Sequence, residues 1–415
     1  MRVMRDIKSL KSLVEEELAQ SIEKISVINL VDLLVEYAYA AHASDVHIEP
    51  TDEGTRIRFR IDGLLNDMFD EKRLNKELCQ EIISRIKVLS GLRTDEHLLP
   101  QDGRFGVRVG DLNDIDIRVS IMPTYYGENA ILRVLAETKD FALETLEFSP
   151  IDLKKVETAM RKPYGMILAN GPTSSGKTTT LYTILKKLNK PDVSIITIED
   201  PIEYSLENTT QIQINEQVGF KFANGLRSIL RQDPNIIMVG EIRDEETASI
   251  AVNAALTGHL LLSTLHTNDA ATTFPRLVDM GVPPFLVAST VNIAMGQRLV
   301  RMICPKCKAE RELTDDEVKS ASELIPELNK QGLKKFYIGK GCQECDKTGY
   351  QGRMGIREVL EVNDEIRQLV MNRANASQIK EAAVRNGMTT MVKDGLAKSV
   401  AGLTSLEEVL RVIHE

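Results

Sequence analysis

Apolar positions near the start of the chain recur at helical spacing. Leu10, Leu13, Val14 and Leu18 mark one helix, and Val27, Leu30, Val31, Leu34 and Ala38 a second. Residues 1 to about 43 therefore read as a short helical N-terminal extension or as a helical cap on the next domain. From Ser44 the period changes to two. The stretches 45–49 and 55–64 alternate apolar and polar positions around a Glu53-Gly54 turn. Leu78, Ile82, Ile83, Ile86 and Leu89 return to helical spacing, and strand-like runs come after them at 104–109, 115–121 and 130–135. This pattern predicts a small α+β domain over 44–136, with a sheet covered on one face. Its solvent-side positions are rich in arginine: Arg56, Arg58, Arg60, Arg104, Arg108, Arg118 and Arg133.

Residues 137–150 mix polar and scattered apolar positions, end in Ser149-Pro150, and read as a linker. Beyond it, strand-like runs at 165–170, 193–198, 236–239 and 260–265 alternate with helical stretches. That alternation predicts an α/β core over 151–302, a parallel sheet with helices on both faces. The segment 303–358 holds four of the five cysteines, with a helical excursion predicted over 314–330. After it the chain reads as a helical subdomain, 359–415, whose last helix has Thr404 and Glu407 at capping-box spacing.

Composition acts by exclusion. Lys plus Arg is 52 and Asp plus Glu 61, and the net charge of −9 argues against general coating of nucleic acid. No apolar run approaches the ~18 residues of a membrane span. The first residues lack the apolar core of a secretory signal. The expectation is a cytoplasmic protein that reaches a membrane only through partners. Cys79 stands alone in an apolar-periodic stretch and reads as a small buried hydrophobe.

Five constellations carry chemistry. Gly171-Pro172-Thr173-Ser174-Ser175-Gly176-Lys177-Thr178 is a complete phosphate-binding loop between a predicted strand and a predicted helix. Its backbone N–H groups, with those of Thr179 behind them, suit a polyphosphate; Lys177 suits the outer phosphates and Thr178 a magnesium ion. Glu199-Asp200-Pro201-Ile202-Glu203 follows the second core strand, where carboxylates hold magnesium or orient water. Glu241 ends the third, behind Gly240, whose missing side chain suggests close approach of backbone and phosphate. His259 and His266 flank the fourth and point to γ-phosphate sensing. Finally, Cys304/Cys307 and Cys342/Cys345 form two Cys-x-x-Cys pairs, a zinc signal that reads as a closed structural site.

Taken in order, Ser44-Asp45-Val46-His47-Ile48-Glu49-Pro50, Gln101-Asp102-Gly103-Arg104, the loop at 171–178, the box at 199–203, Gly240-Glu241-Ile242-Arg243-Asp244, and Thr257-Gly258-His259 through Leu265-His266-Thr267 resemble the type II secretion and type IV pilus assembly ATPase family. The resemblance implies a RecA-like nucleotide-binding domain preceded by a small PAS-like α+β domain, with a zinc-binding subdomain and C-terminal helices. It implies ATP, magnesium and zinc as ligands. It also implies a homohexamer at the bacterial inner membrane that drives pseudopilus or pilus assembly through a membrane platform protein. Arg118 and Arg133 match arginines that complete the nucleotide site by domain or subunit closure, with Arg104 a third. Glu203 matches the glutamate that polarises water, and Glu241 then helps hold magnesium, although the two roles can be exchanged. His266 joins the catalytic set. The zinc pairs favour an assembly or secretion motor over the retraction branch. Assembly members usually carry a long N-terminal docking domain, whereas about 43 residues precede the shared region here. Two other readings stay open: a DNA-uptake or nucleic-acid translocating ring, and a nucleotide-gated scaffold that hydrolyses little, suggested by Gly240.

Overall fold

The computed structural model describes residues 5–21, 24–69, 74–109, 113–135, 142–324 and 335–414. The chain divides into two units, Met1–Lys139 and Asp140–Glu415. The first contains α1 (Ile7–Leu18), α2 (Val27–Ala40), β1 (Ala43–Thr51), β2 (Gly54–Ile61), β3 (Leu64–Asp67), α3 (Lys76–Leu89), β4 (Gln101–Val109), β5 (Asn113–Thr124) and β6 (Gly127–Leu135). Its six strands pair antiparallel in the order β3-β2-β1-β6-β5-β4. The predicted run 55–64 is in fact two strands. Asp62 and Gly63, at φ 50° and 89°, form the two-residue turn between them.

Alternation sends Val46, Ile48, Ile57, Phe59, Ile117 and Leu132 into one core with the apolar faces of α2 and α3. Leu10 and Val14 of α1 are buried in the same core, so the first two helices pack with the sheet. Asp6, Ser26 and Asn75 each cap the helix that begins next to them. The other face of the sheet is polar, and register lays a row of charges across it. Arg104 faces Arg118, Arg118 faces Arg133, Arg133 faces Asp45, and Asp45 faces Arg60. Asp45 bonds Arg133 at 3.1 Å and Arg60 at 3.4 Å. Directly opposed residues share a face, so four guanidinium groups stand in line with one carboxylate.

The second unit contains α4 (Pro150–Met160), β7 (Gly165–Asn170), α5 (Lys177–Leu188), β8 (Ile195–Glu199), β9 (Thr210–Gln213), α6 (Phe222–Ile229), β10 (Ile236–Val239), α7 (Glu245–Leu256), β11 (Leu260–Leu265), α8 (Thr273–Asp279), α9 (Pro284–Thr290), β12 (Val291–Ile303), β13 (Lys308–Glu312), α10 (Asp315–Leu324), β14 (Lys335–Gly339) and β15 (Tyr350–Glu361). Four helices complete it, Asp364–Met371, Ala376–Arg385, Met391–Val400 and Leu406–His414. The seven-stranded sheet has the order β15-β12-β7-β11-β10-β8-β9. All neighbours are parallel except β12 and β15. A hydrophobic core lies on each face.

The expected α/β core is therefore present, but it does not end at 302. Residues 350–361, assigned from sequence largely to the cysteine segment, return to pair with β12 and complete the sheet. The β13–β14 hairpin and α10 are inserted between these two neighbouring strands. Of the helical excursion predicted over 314–330, Asp315–Leu324 is helix, and 325–330 lie outside the described residues. The cap of the last helix is one residue away from its expected place, and it is a simple N-cap, because the Glu408 carboxylate is taken up by Arg301 and Arg411. Ser405 Oγ accepts from the Glu408 N–H at 3.2 Å, while the Thr404 hydroxyl bonds Arg301 O at 2.7 Å in β12. At the other end of the unit, Leu143 and Leu146 are buried in a short 3-10 turn against the core that includes α5. Ser149 then caps α4, with Pro150 in its first turn.

Candidate functional site

The six residues of β7 are all buried, and the loop after them is shaped by its own backbone. Gly171 has φ +146°, and a Cβ there would stand 2.4 Å from Gln297 O. Ser174 has φ 63°, and Gly176, at φ 86°, opens α5 without a side-chain cap. The N–H groups of that helix start are left for a ligand, and the helix dipole adds to their pull on an anion. Lys177 Nζ donates to Gly171 O at 2.7 Å and to Pro172 O at 2.8 Å, holding the ammonium over the loop. Burial lowers the Lys177 pKa, and the charge of Glu241 opposes that shift. Thr178 and Thr179 lie in the first turn of α5.

Glu241 stands just past β10, at the carboxyl end of the parallel strands. Its Oε2 lies 2.9 Å from His266 Nε2, just past β11, and its Oε1 pairs with the Arg243 guanidinium. Arg243 also reaches Asp200 at 3.8 Å. The fold thus brings together Lys177, Glu241, His266 and Asp200 from four separate loops. His259 does not join them. It lies at the amino end of β11, where its Nδ1 is 3.0 Å from Ala254 O, at the end of α7. Gly240 serves a different need from the one expected. A Cβ there would stand 3.3 Å from Glu199 Cα and 3.4 Å from Ile198 O, so its missing side chain admits the neighbouring strand rather than a phosphate.

The acidic box divides into two parts. Glu199 is buried and accepts from Thr197 Oγ1 at 2.5 Å, from Gln211 Nε2 at 3.3 Å and from the Tyr182 hydroxyl. Burial raises its pKa, opposed by those bonds. Tyr182 belongs to α5, and burial beside this carboxylate raises its pKa strongly. The Glu203 backbone N–H bonds the same hydroxyl, and Asp200-Pro201 is a cis peptide. Glu199 is thus an internal anchor, while the half-buried Glu203 is held beside α5 through its main chain.

Three residues here escaped the sequence reading. Gln297 of β12 donates from Nε2 to Ser175 O at 2.8 Å and accepts from Thr180 Oγ1 at 2.9 Å. Its strand was not recognised, so nothing pointed to it. Arg243 sat inside a quoted motif without a role, and no motif pointed to Tyr182, which lies inside α5. Arg104, Arg118 and Arg133 belong to the first unit, in the charged row of its sheet.

The four cysteine sulfurs lie within 4.8 Å of one another. Cys304 and Cys342 are 3.9 Å apart, Cys307 and Cys345 3.8 Å, and Cys342 and Cys345 3.7 Å. Four sulfurs at tetrahedral zinc, each ~2.3 Å from the ion, stand about 3.8 Å apart. Backbone N–H groups of Cys342 and Gly349 approach Cys345 Sγ at 3.3 Å each, as thiolates require. Burial would raise the Cys345 pKa, but these bonds and the neighbouring thiols bring it down to about 7. The donor set fits a closed, four-coordinate soft-metal site. Cys79 is buried in the first unit, and burial raises its thiol pKa, as expected of a packing residue.

With this geometry in hand, comparison with known proteins gives a consistent result. The sequence model of a family described as type II/IV secretion system protein matches residues 20–411. The type IV pilus assembly ATPase PilB of Myxococcus xanthus is 43% identical, over 95% of this chain and 69% of the relative. PilB of Thermus thermophilus is 44% identical, over 96% of this chain but only 44% of its own length. The type II secretion system protein E of Aeromonas hydrophila is 42% identical, over 96% of this chain and 78% of the relative. Among solved structures, the pilus retraction motor PilT with bound ADP is 27% identical with a TM-score of 0.62, covering 92% of this chain and 96% of that one. The ATPase DotB of Legionella pneumophila, at 22% identity and a TM-score of 0.69 over 96% of this chain and 98% of its own, shares the fold.

Proposed function

The chain belongs to the type II/IV secretion system protein family, and from that premise we propose that it is an ATP-hydrolysing motor for pseudopilus or type IV pilus assembly. The observation that carries this reading is the meeting of Lys177, Glu241 and His266 at the carboxyl ends of β7, β10 and β11. In this mechanism the loop 171–178 and the start of α5 cradle the phosphates of ATP. The Lys177 ammonium exchanges its two loop carbonyls for the outer phosphate oxygens. Thr178 and Glu241 are the residues that would hold magnesium, which would supply positive charge against the charge developing on the transferring phosphoryl group. Glu203 takes a proton from the attacking water, and His266, against Glu241, faces the terminal phosphate. Arg118 and Arg133, with Arg104 in the same row, supply planar, permanently charged groups to that phosphate when the domains or subunits of the ring close.

The wider setting belongs to the same proposal. The protein acts as a homohexamer at the cytoplasmic side of the inner membrane, and hydrolysis moves a platform protein. No helix among the described residues is long and apolar enough to cross a membrane. Cys304, Cys307, Cys342 and Cys345 hold a structural zinc ion. Phosphate release from wild type and from Glu203→Gln tests the core of the reading. Turnover should require magnesium and collapse in the variant, and it should rise with the platform protein rather than with DNA. Equal rates in the two proteins would refute hydrolysis by this mechanism.

A further inference from the structure

Glu358, in β15, has 1% of its surface exposed. A carboxylate in such a place is costly unless both oxygens are bonded. Both are, and to backbone donors from distant parts of the chain. One oxygen accepts from the Ala270 N–H at 2.9 Å and the other from the Met391 N–H at 3.2 Å. Burial raises the Glu358 pKa, and these two bonds oppose the shift.

The two donors matter for where they sit. Ala270 lies in the turn that begins at His266, and this turn is bonded to itself. Thr267 Oγ1 donates to Asp269 O at 3.2 Å, and Asp269 Oδ1 accepts from the Thr272 N–H at 2.9 Å. These bonds tie together the residues on either side of Ala270 and leave it in the same short turn as His266. Met391 opens the helix Met391–Val400, so its N–H is one of the donors that a helix start leaves without an internal partner. Gly296 of β12 makes room for the arrangement. A Cβ there would stand 3.0 Å from Ala270 N and 3.0 Å from Glu358 Cγ. A parallel link joins Lys380, on the helix Ala376–Arg385, to Asp269 at 3.4 Å.

A buried carboxylate is a poor source of stability compared with an apolar side chain of the same size. We propose that Glu358 is a positioning residue that couples the turn after His266 to the start of the helix Met391–Val400, so that occupation of the terminal-phosphate end of the nucleotide site is relayed to the C-terminal helices. This rests on the reading of 171–178 as an ATP site. When the turn moves, the carboxylate either loses a bond in a dry environment or draws Met391 after it, and the second course keeps both donors satisfied.

Amide hydrogen exchange on the full chain, with and without magnesium and a non-hydrolysable ATP analogue, tests the relay. In wild type the analogue should protect 171–178 and change exchange at both 266–272 and 391–396. In Glu358→Gln the side chain keeps one acceptor oxygen, so the change at 391–396 should vanish. The KM for ATP should stay within about twofold while kcat falls about tenfold, the mark of a role beyond ground-state binding. Gly296→Ala presses on the same contact from β12 with the carboxylate intact and should also uncouple the two segments, which covers the case of a Glu358 variant that does not fold. Protection at 171–178 with no change at 391–396 in wild type, or a full response in both variants, overturns the relay and leaves the nucleotide site standing. No protection at 171–178 overturns both.

Discussion

Gln297 Nε2 donates to the Ser175 carbonyl at 2.8 Å, so a side chain of β12 holds the phosphate-binding loop from behind. Its other end accepts from Thr180 Oγ1, one turn into α5, and the residue is fully buried. Gln297→Ala leaves the Ser175 carbonyl and the Thr180 hydroxyl without partners in a dry place. The expected cost is about 1–3 kcal/mol of stability, from the unsatisfied groups alone. Because those groups define the junction of loop and helix, affinity for a fluorescent ATP analogue should also weaken. Denaturant titration together with analogue binding reads both effects, and unchanged affinity would show that the loop keeps its shape unaided.

Tyr182 and Glu203 separate positioning from chemistry in the acidic box. Tyr182→Phe removes the hydroxyl that donates to Glu199 and accepts from the Glu203 N–H. Nucleotide binding should persist while kcat falls, because the main chain that carries Glu203 loses its tie to α5. Glu203→Gln should lower kcat further, with the same affinity. General-base removal typically costs ~10²–10⁴-fold. Steady-state phosphate release and equilibrium binding on the two variants decide the matter. A Tyr182→Phe protein slower than Glu203→Gln would shift the base role away from Glu203.

Arg133 is more than half exposed and bonds Asp45, so its loss should cost no more than about 1 kcal/mol of stability. If Arg133 and Arg118 meet the terminal phosphate on closure, substitution of each by Ala should nevertheless lower kcat by about 10³-fold or more, as for arginines that serve phosphoryl transfer. Lys in place of either should restore charge but not the planar fork, and should rescue poorly. Thermal unfolding alongside turnover separates the effects. Normal turnover in both Ala variants would end the closure mechanism.

Acid should loosen the last helix through Glu408. Burial favours its neutral form, but Arg301 at 2.5 Å and Arg411 at 3.0 Å outweigh that and hold its pKa down from 4.5 to about 2. A depressed carboxylate pKa contributes stability that is fully present above the unfolded value and lost as pH falls through the folded one. The window therefore runs from 4.5 down to about 2, and the full effect is on the order of 3 kcal/mol. Glu408→Gln should be less stable than wild type at neutral pH by about that amount. Denaturant midpoints measured at descending pH should converge through the window, and a gap that stays constant would contradict the assignment.

Sequence signals were legible where they were local. The glycines and Lys177 of the nucleotide loop must lie next to one another in the chain, because consecutive backbone N–H groups wrap one phosphate group. The cysteine pairs are equally local. The strands β7, β10 and β11 read easily because they are short apolar runs. β15 did not, because Arg357 and Glu358 occupy buried positions in its middle, at 4% and 1% exposure, and break the apolar run. β12 hid for the same reason, with Asn292, Gln297 and Arg298 buried along it. Those polar residues are buried because each meets a partner far away in sequence: Gln297 the loop at Ser175, Glu358 the turn at Ala270, Arg357 the carbonyl of Leu146. No periodicity encodes such pairings. The separation of His259 from His266, by contrast, could have been read from the local signals: in a parallel sheet ligands meet the carboxyl ends of the strands, and His259 precedes β11 while His266 follows it.

The cysteine cluster ties metal binding to the architecture of the sheet. Cys304 and Cys307 come just after β12, Cys342 and Cys345 precede β15, and these two strands are neighbours in the central sheet. A metal there pins the base of the inserted hairpin, at a point fixed by close backbone packing. A Cβ at Gly339 would stand 1.9 Å from Gly349 O. Purified protein should carry one zinc ion per chain. Lys306, Lys308, Lys340 and Lys347 are already exposed on or beside the loops at 304–307 and 340–349, so removal of the metal by a strong chelator, or by Cys342→Ser, should loosen the backbone of these loops and let trypsin cut there. Structural zinc sites contribute on the order of 10 kcal/mol of apparent binding energy to folding, so the unfolding temperature should fall markedly. Analogue binding at 171–178 should survive at temperatures where the sheet still holds, because among the described residues none of the loop's hydrogen-bond partners comes from the hairpin. Intact resistance to trypsin after complete loss of zinc would show that the sulfurs, and not the metal, hold this fold together.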